Sequence, residues 1–229
     1  MDKSPLKIKN MFDEVAKYYD FMNNIMSFGI HKIIKKDCMA KLPVLNGSII
    51  ADICCGSGDL AIELAQNKNI EKIYAFDFSS NMLAVAKSRT IDKKIEYILA
   101  DCYGLPLSNS YLDGCVMGFG LRNIENLEIV VTEINRILKN GAFFFHIDIF
   151  KTESFLSMLF DKFVIIMTKF FCKSSDAYSY LIKSKNNFMS SEELISFVEE
   201  YGFVCNMNKK YLGGLICAQL FKKVERGCE

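Results

Sequence analysis

The chain reads as an α/β domain on a mostly parallel sheet, and three observations carry that reading. Short apolar runs alternate with amphipathic, helix-length stretches between residues 48 and 149, the pattern of parallel strands joined by right-handed crossovers. The first run, Ile49-Ile50-Ala51-Asp52-Ile53, passes directly into a glycine turn, Cys55-Gly56-Ser57-Gly58, and then into Leu60-Ala61-Ile62-Glu63-Leu64-Ala65 with helical spacing. Near the end, two apolar runs at 202–211 and 213–222 meet around Gly213-Gly214, which predicts an antiparallel pair at the sheet edge.

Taken in order, residues 6–20 and 29–42 read as helices that precede the sheet. Strands follow near 48–53, 72–76, 95–99, 112–118 and 142–149, with helices near 59–67, 80–89 and 125–138 between them. Asn140-Gly141, after Arg136-Ile137-Leu138-Lys139, reads as a helix stop with basic residues in its last turn. Residues 155–172 are very apolar but interrupted by Asp161, Lys162 and Lys169, so a membrane span is not expected. The segment reads as a helix that packs into the core, roofs a greasy pocket or touches a membrane surface. The whole chain is expected to be one domain: N-terminal helices over 1–45, a cofactor-binding core over 46–150, a helical cap over about 151–190, and a C-terminal helix and strand pair over 191–229.

The glycine turn is where the chemistry is expected. Glycines let the backbone approach a ligand that a Cβ would hold off, and a strand-turn-helix crevice is where open α/β sheets bind nucleotide-like cofactors. Gly56-x-Gly58-x-x-Ala61 satisfies a dinucleotide pattern, and Asp77 follows Gly58 by 19 residues at the end of the next apolar run. That spacing suits an acid on a ribose, whether the ribose belongs to a nicotinamide cofactor or to S-adenosylmethionine. Three features favour the methyl donor. Asp52 stands before the glycines, where a pyrophosphate would be repelled and an ammonium attracted. Asp101 ends the following apolar run, Ile95-Glu96-Tyr97-Ile98-Leu99-Ala100, in reach of an adenine amino group. The turn itself contains no basic residue to neutralise a phosphate.

Composition narrows the remaining classes. Lys+Arg number 28 against 27 Asp+Glu, so no global charge attracts nucleic acid. Nine cysteines without CxxC pairs read as reduced thiols of a cytoplasmic protein. With only His31 and His146 available, no metal centre is expected. The N-terminus shows neither a signal-peptide core nor transit-peptide character.

Four blocks covering nearly the whole chain resemble the ubiquinone/menaquinone C-methyltransferases, enzymes of the Rossmann-like class I methyltransferase fold that methylate the ring of a polyprenyl quinol. They are Met11-Phe12-Asp13-Glu14-Val15-Ala16 continuing through Tyr19-Asp20-Phe21-Met22-Asn23 to Met26-Ser27-Phe28-Gly29-Ile30-His31; Cys55-Gly56-Ser57-Gly58-Asp59-Leu60; Phe119-Gly120-Leu121-Arg122-Asn123; and Asp176-Ala177-Tyr178-x-Tyr180-Leu181 with the later Gly213-Gly214. The first and third are the specific ones. Ser57 stands where the family usually has Thr, Gln219 where many relatives have His, Lys183 where an acid is common, and Asn140 and Ala142 where Pro and Gly are usual.

The resemblance implies S-adenosylmethionine as methyl donor and a polyprenyl quinol as acceptor, with peripheral contact at the inner face of a membrane and a homodimer as further expectations. It implies that Ser57, Gly56 and Gly118 face the methionine part, that Asp77 takes the ribose hydroxyls, and that Asp101 and Cys102 frame the adenine. A quinol carbon becomes nucleophilic when its hydroxyl loses a proton, and a guanidinium beside that oxygen stabilises the anion. Arg122, just past the fourth strand, is the expected stabiliser, with a structural ion pair as the competing reading. Tyr19 is expected to orient the substrate hydroxyl or a water, or to cap the cofactor. His31 is an alternative base by its intrinsic pKa of about 6.5, but beside Lys32, Lys35 and Lys36 it reads more readily as a helix-surface or capping residue, and Asp148 stands as a second base candidate. A methyltransferase of another small acceptor, a nicotinamide oxidoreductase and a non-catalytic binding protein remain open alternatives.

Overall fold

At the centre of the computed structural model, which describes residues 3–152, 157–160, 162 and 176–225, lies β1 (Ser48–Ile53), covered on both faces. β2 (Ile70–Asp77) and β4 (Leu112–Gly118) pair with it in parallel on either side. β3 (Ile95–Leu99) extends the sheet beyond β2, and β5 (Leu138–Ile149) extends it beyond β4. β7 (Ile216–Lys223) runs antiparallel to β5 and carries β6 (Phe203–Tyr211) at the edge. The sheet therefore has seven strands in the order β3-β2-β1-β4-β5-β7-β6. The order reverses between β1 and β4, and the loops leaving them part there to open a crevice at the carboxyl ends.

The two faces are built by strict alternation along the strands. Ile50, Ile73, Phe143, Phe145 and Ile147 meet α3 (Ile30–Met39) and α4 (Asp59–Ala65) on one face. Ala51, Ile53 and Phe144 meet α6 (Leu127–Ile137) and α8 (Ser191–Glu199) on the other. Each fully buried Phe or Ile contributes roughly 1.5–3 kcal/mol over an exposed one. α5 (Ser80–Arg89) and α6 begin at side-chain caps, Ser79 accepting from the Met82 amide and Asn126 from the Ile129 amide. α8 opens with a full capping box between Ser190 and Glu193.

Several boundaries differ from the sequence reading. The helix expected over 6–20 is α1 (Pro5–Val15), a single 3-10 turn at Ala16–Tyr18, and then α2 (Tyr19–Ser27). Phe28 and Gly29 both take left-handed backbone angles, which turns the chain sharply into α3. Asn140-Gly141 is not a helix stop: α6 ends at Ile137, and Gly141, at φ +78°, lies in the irregular start of β5. Of the apolar segment at 155–172, residues 157–160 are helical, and the rest lies outside the described residues except Lys162. α7 (Asp176–Asn186) follows it.

The turn after β1 needs its second glycine twice over. Gly58 sits at φ +83°, and a Cβ there would lie 2.9 Å from the Tyr97 hydroxyl and 3.1 Å from Ala86 Cβ. Gly58→Ala should therefore lower the unfolding free energy by about 1–3 kcal/mol, read as a drop in urea midpoint at unchanged m-value; an unshifted midpoint would contradict this account of the turn.

Candidate active site

Two hollows meet at the carboxyl end of the sheet. One is a cleft of about 770 Å³, open solvent included, between the loops that follow β1 to β4 and a roof from α1 and α2. The other is an apolar cavity of about 1330 Å³ on the same accounting, bounded by α2, α3, Leu181 of α7 and the residues leading into β7. Tyr19 and Phe119 line both.

In the cleft, Asp77 is buried at the end of β2 and accepts the Gly56 amide at 2.7 Å and the Ser79 amide at 2.9 Å. It thus ties the glycine turn to the next crossover and keeps lone pairs for further donors. Burial pushes its carboxyl above the usual range, tempered by those amides. Asp101 is exposed to the cleft; its Oδ1 accepts the Tyr103 amide at 3.1 Å, and Oδ2 has no partner among the described residues. Cys102 and Cys54 also line this space. Gly118 keeps the floor low, since a Cβ there would come within 2.8 Å of Leu60 Cδ1.

Two expected cofactor residues are elsewhere. Asp52 does not line the cleft: alternation along β1 puts it on the same face as Ile50, under α4, where Oδ2 accepts the Ala61 amide at 2.9 Å and Oδ1 is buried without a partner. It caps the first turn of α4 from below, and burial pushes its pKa up to about 8. The side chain of Ser57 also points away from the cleft, donating to Asp20 Oδ1 at 2.6 Å while Arg89 donates to its carbonyl at 2.8 Å. Arg89 pairs with Asp59 at 2.7 Å and Asp20 at 3.1 Å, and Lys35 pairs with Asp59 at 2.8 Å. This chain of charges fastens α2 and α3 to α4 and α5.

At the cavity, Arg122 lies in a 3-10 turn directly after β4 and pairs with the fully buried Asp148 of β5. Its Nη1 also donates to the Phe119 carbonyl at 2.8 Å, and its Nε is buried with no partner among the described residues. Burial alone would raise the Asp148 carboxyl, but Arg122 and His146 outweigh it and hold the pKa below the ordinary value. Asp148 is therefore the anion of an ion pair and not the free base expected from its position. Arg122 joins the two expected readings, paired to a buried acid while also lining the cavity.

Of the readings open for His31, the structure does not support the helix-surface one. It is buried, lines the cavity, and bonds through Nδ1 to Ser27 Oγ. The available signal was helical spacing: His31, Ile34 and Cys38 at i, i+3 and i+7 form the buried stripe of α3, whereas the neighbouring lysines suggested a solvated face. Phe12, which packs edge-on against Tyr19 at 6.1 Å between centroids, was not singled out as a cleft residue.

Residues 1–223 match the ubiE/COQ5 methyltransferase family. The chain belongs to that family. It is 33% identical over 224 residues to the demethylmenaquinone methyltransferase of Staphylococcus aureus (strain JH9), covering 93% of this chain and 92% of that one. A chain of the complex between the Haloferax volcanii Trm112 methyltransferase activator and a methyltransferase superposes with a TM-score of 0.73 at 18% identity, covering 93% of this chain and 98% of that one. An S-adenosylmethionine-dependent methyltransferase from Aquifex aeolicus gives 0.63 at 16% identity, over 83% and 89%. These structures share the fold, a Rossmann-like methyltransferase sheet.

The enzyme is thus an S-adenosylmethionine-dependent methyltransferase, and the cleft suits that donor. Two carboxylates, Asp77 and Asp101, face the space with aromatic rings from Phe12, Tyr19 and Phe119, against one cation in the lining, Lys3. A sulfonium is attracted there and a pyrophosphate is not; the nicotinamide alternative falls with the family assignment.

Asp52 yields a pH test. Its folded pKa of about 8 exceeds an unfolded value of about 3.9, so folding takes up a proton between them. Its contribution is full below about pH 4 and is lost progressively as pH rises to about 8. Asp52→Asn keeps an acceptor for the Ala61 amide and has nothing to ionise. Relative to that variant, the wild type should lose stability between pH 5 and pH 8 in urea titrations; parallel pH profiles would show that Asp52 is ionised in the fold.

Proposed function

We propose that this enzyme methylates a ring carbon of a polyprenyl quinol, converting demethylmenaquinol to menaquinol, 2-methoxy-6-polyprenyl-benzoquinol to its methylated product, or both. The observation that carries this reading is the junction of the two hollows. A methyl donor held by Asp77 and Asp101 and an acceptor held in the apolar cavity would meet between Tyr19 and Phe119, with Arg122 alongside. The Staphylococcus aureus relative, a demethylmenaquinone methyltransferase, supports the naphthoquinol branch.

The chemistry asks the protein for alignment, exclusion of water and charge stabilisation. The donor supplies an electrophilic methyl on a good leaving group. Arg122 is pre-oriented by Asp148 and the Phe119 carbonyl, so its guanidinium can stabilise negative charge developing on a ring oxygen without reorganising. Tyr19, shared by both hollows, caps the donor and packs against the acceptor ring. The apolar walls, including Phe28, Leu159, Leu212 and Leu215, suit an isoprenoid tail, for which each buried CH₂ is worth roughly 0.8 kcal/mol.

The deciding experiment is turnover with S-adenosylmethionine against short-tail naphthoquinol and benzoquinol acceptors, kept reduced. Methylation of neither, despite donor binding, would sink the substrate assignment and leave the family and fold standing. Arg122→Lys keeps a cation beside Asp148 but loses the planar fork; kcat should fall about 10²-fold while affinity for S-adenosylhomocysteine, read by calorimetry, stays within twofold.

The mouth of the cavity supports a peripheral membrane encounter. Phe28, Ile33, Leu159 and Leu212 are exposed around α2, α3 and the turn before β7, and Lys32 and Lys36 lie on the outside of α3. Among the described residues no helix is long and apolar enough to cross a membrane. Ile33→Asp with Lys36→Glu, both outside the cavity lining, should reduce sedimentation with anionic vesicles and raise KM for a long-tail quinol in vesicles, leaving KM for a soluble short-tail quinol within about twofold.

A further inference from the structure

His31 is the one histidine of this chain that reaches the cavity, since His146 is sealed inside the sheet. The turn at Phe28-Gly29 brings α3 back so that His31 Nδ1 meets Ser27 Oγ. Ser27 has a single hydroxyl proton, and its Oγ also bonds the Asn23 carbonyl at 2.7 Å. A carbonyl can only accept, so that proton is spoken for, and toward His31 the hydroxyl oxygen must accept. Nδ1 therefore carries the hydrogen, and in the neutral ring Nε2 holds a lone pair.

The ring is neutral at ordinary pH. Burial and Lys35 lower its pKa to about 4, with Lys32 acting in the same direction and Asp59 and Asp20 opposing it. Nε2 makes no hydrogen bond among the described residues and is not among their sealed, partnerless atoms. The nearest anion, Asp59 Oδ2, stands at 4.0 Å; as an acceptor it has no hydrogen to offer that lone pair, yet it is close enough to stabilise an imidazolium. Asp59 is itself held in place by Lys35 and Arg89.

We propose that His31 Nε2 accepts the O–H of the acceptor ring and takes its proton as the ring carbon is methylated, which makes His31 both the base and the residue that selects the reduced ring. A hydroquinol offers a hydrogen to Nε2; the oxidised quinone offers only carbonyl oxygens, whose lone pairs would face that of the nitrogen. The inference rests on the quinol reading given above. In the step, the O–H bond breaks and its proton passes to Nε2 while Asp59 balances the new charge. The ring carbon forms its bond to the methyl, and the sulfur keeps the electron pair of the broken S–C bond. The ring C–H proton then leaves to water at the open mouth of the cavity, and His31 returns its own proton to the ring oxygen. Arg122 and His31 divide the work, one stabilising negative charge on oxygen and the other removing the proton.

The test uses the full chain, S-adenosylmethionine and a short-tail naphthoquinol under anaerobic reducing conditions. The oxidised naphthoquinone is run as a competing ligand with S-adenosylhomocysteine in the cleft. His31→Phe should lower kcat about 10²-fold and abolish the preference for the reduced ring, which in the wild type should be at least about tenfold. His31→Gln cannot take the proton, so kcat should stay low, and because its amide can either accept from a hydroxyl or donate to a carbonyl the preference for the reduced ring should narrow. Ser27→Ala releases the tautomer and should give an intermediate loss. Calorimetric affinity for S-adenosylhomocysteine, within twofold throughout, reports that the fold and cleft are intact. Wild-type kcat in both His31 variants, or a kcat loss with an unchanged redox preference in His31→Phe, overturns the proposal. A wild type that binds the donor yet methylates no quinol overturns the quinol reading and this inference with it, and is told apart by needing no variant.

Discussion

A buried ion pair between the ends of two neighbouring strands sets the geometry on which the site depends. Asp148 leaves β5 on the face that carries Phe144 and is completely enclosed. An unpaired carboxylate in that position would cost several kcal/mol. Arg122 meets it from the turn after β4, and the Arg122 amide adds a second bond at 3.3 Å. The pairing fixes the path of Phe119-Gly120-Leu121, where Phe119 takes φ +59°. That strained residue stands between the cleft and the cavity. The same guanidinium that satisfies the acid is thereby presented to the cavity, so one pair provides both the wall and its charge.

A second set of charges holds the roof. Ser57, Asp20, Arg89, Asp59 and Lys35 join the glycine turn, α2, α5, α4 and α3. Isolated surface ion pairs contribute little, but these are linked and partly buried, and Asp59 is held well below the usual carboxylate range by Lys35 and Arg89 against the cost of burial. Without that tether, α2 would lose its polar attachment to α4 and α5, while α3 would still be held to β6 through Asp37, which accepts from Lys209 at 2.9 Å and Tyr211 at 2.8 Å. Tyr19 and His31 both sit on those helices. The positions of Tyr19 and His31 thus depend on Asp20, Asp59 and Arg89, which line neither hollow, and on Lys35, which lines the cavity.

Much of the fold was legible because its signals are local. The apolar runs of β1 to β5, the glycine turn and the antiparallel pair around Gly213-Gly214 each announce themselves within a few residues. What failed did so for physical reasons. The break at Ala16–Tyr18 has no Pro or Gly to mark it. Asn140-Gly141 has the composition of a helix stop, yet the strand pairing of β5 with β4 and β7 begins around it. In the site, Asp77, Asp101, Cys102, Gly56 and Gly118 line the cleft as expected from their places at strand ends. Asp52 looked the same in sequence but falls on the other side of its strand, where alternation hides it beneath α4.

Sequence by itself determined the class of fold, the order of its elements and the loops that would carry chemistry, because strand and helix periodicity and glycine turns are properties of neighbouring residues. Tertiary structure alone decided which acids reach solvent, which arginine pairs with which carboxylate, and which histidine enters the cavity. Those outcomes depend on residues far apart along the chain, such as Arg122 with Asp148 or His31 with Asp59, and on burial, which no local pattern specifies.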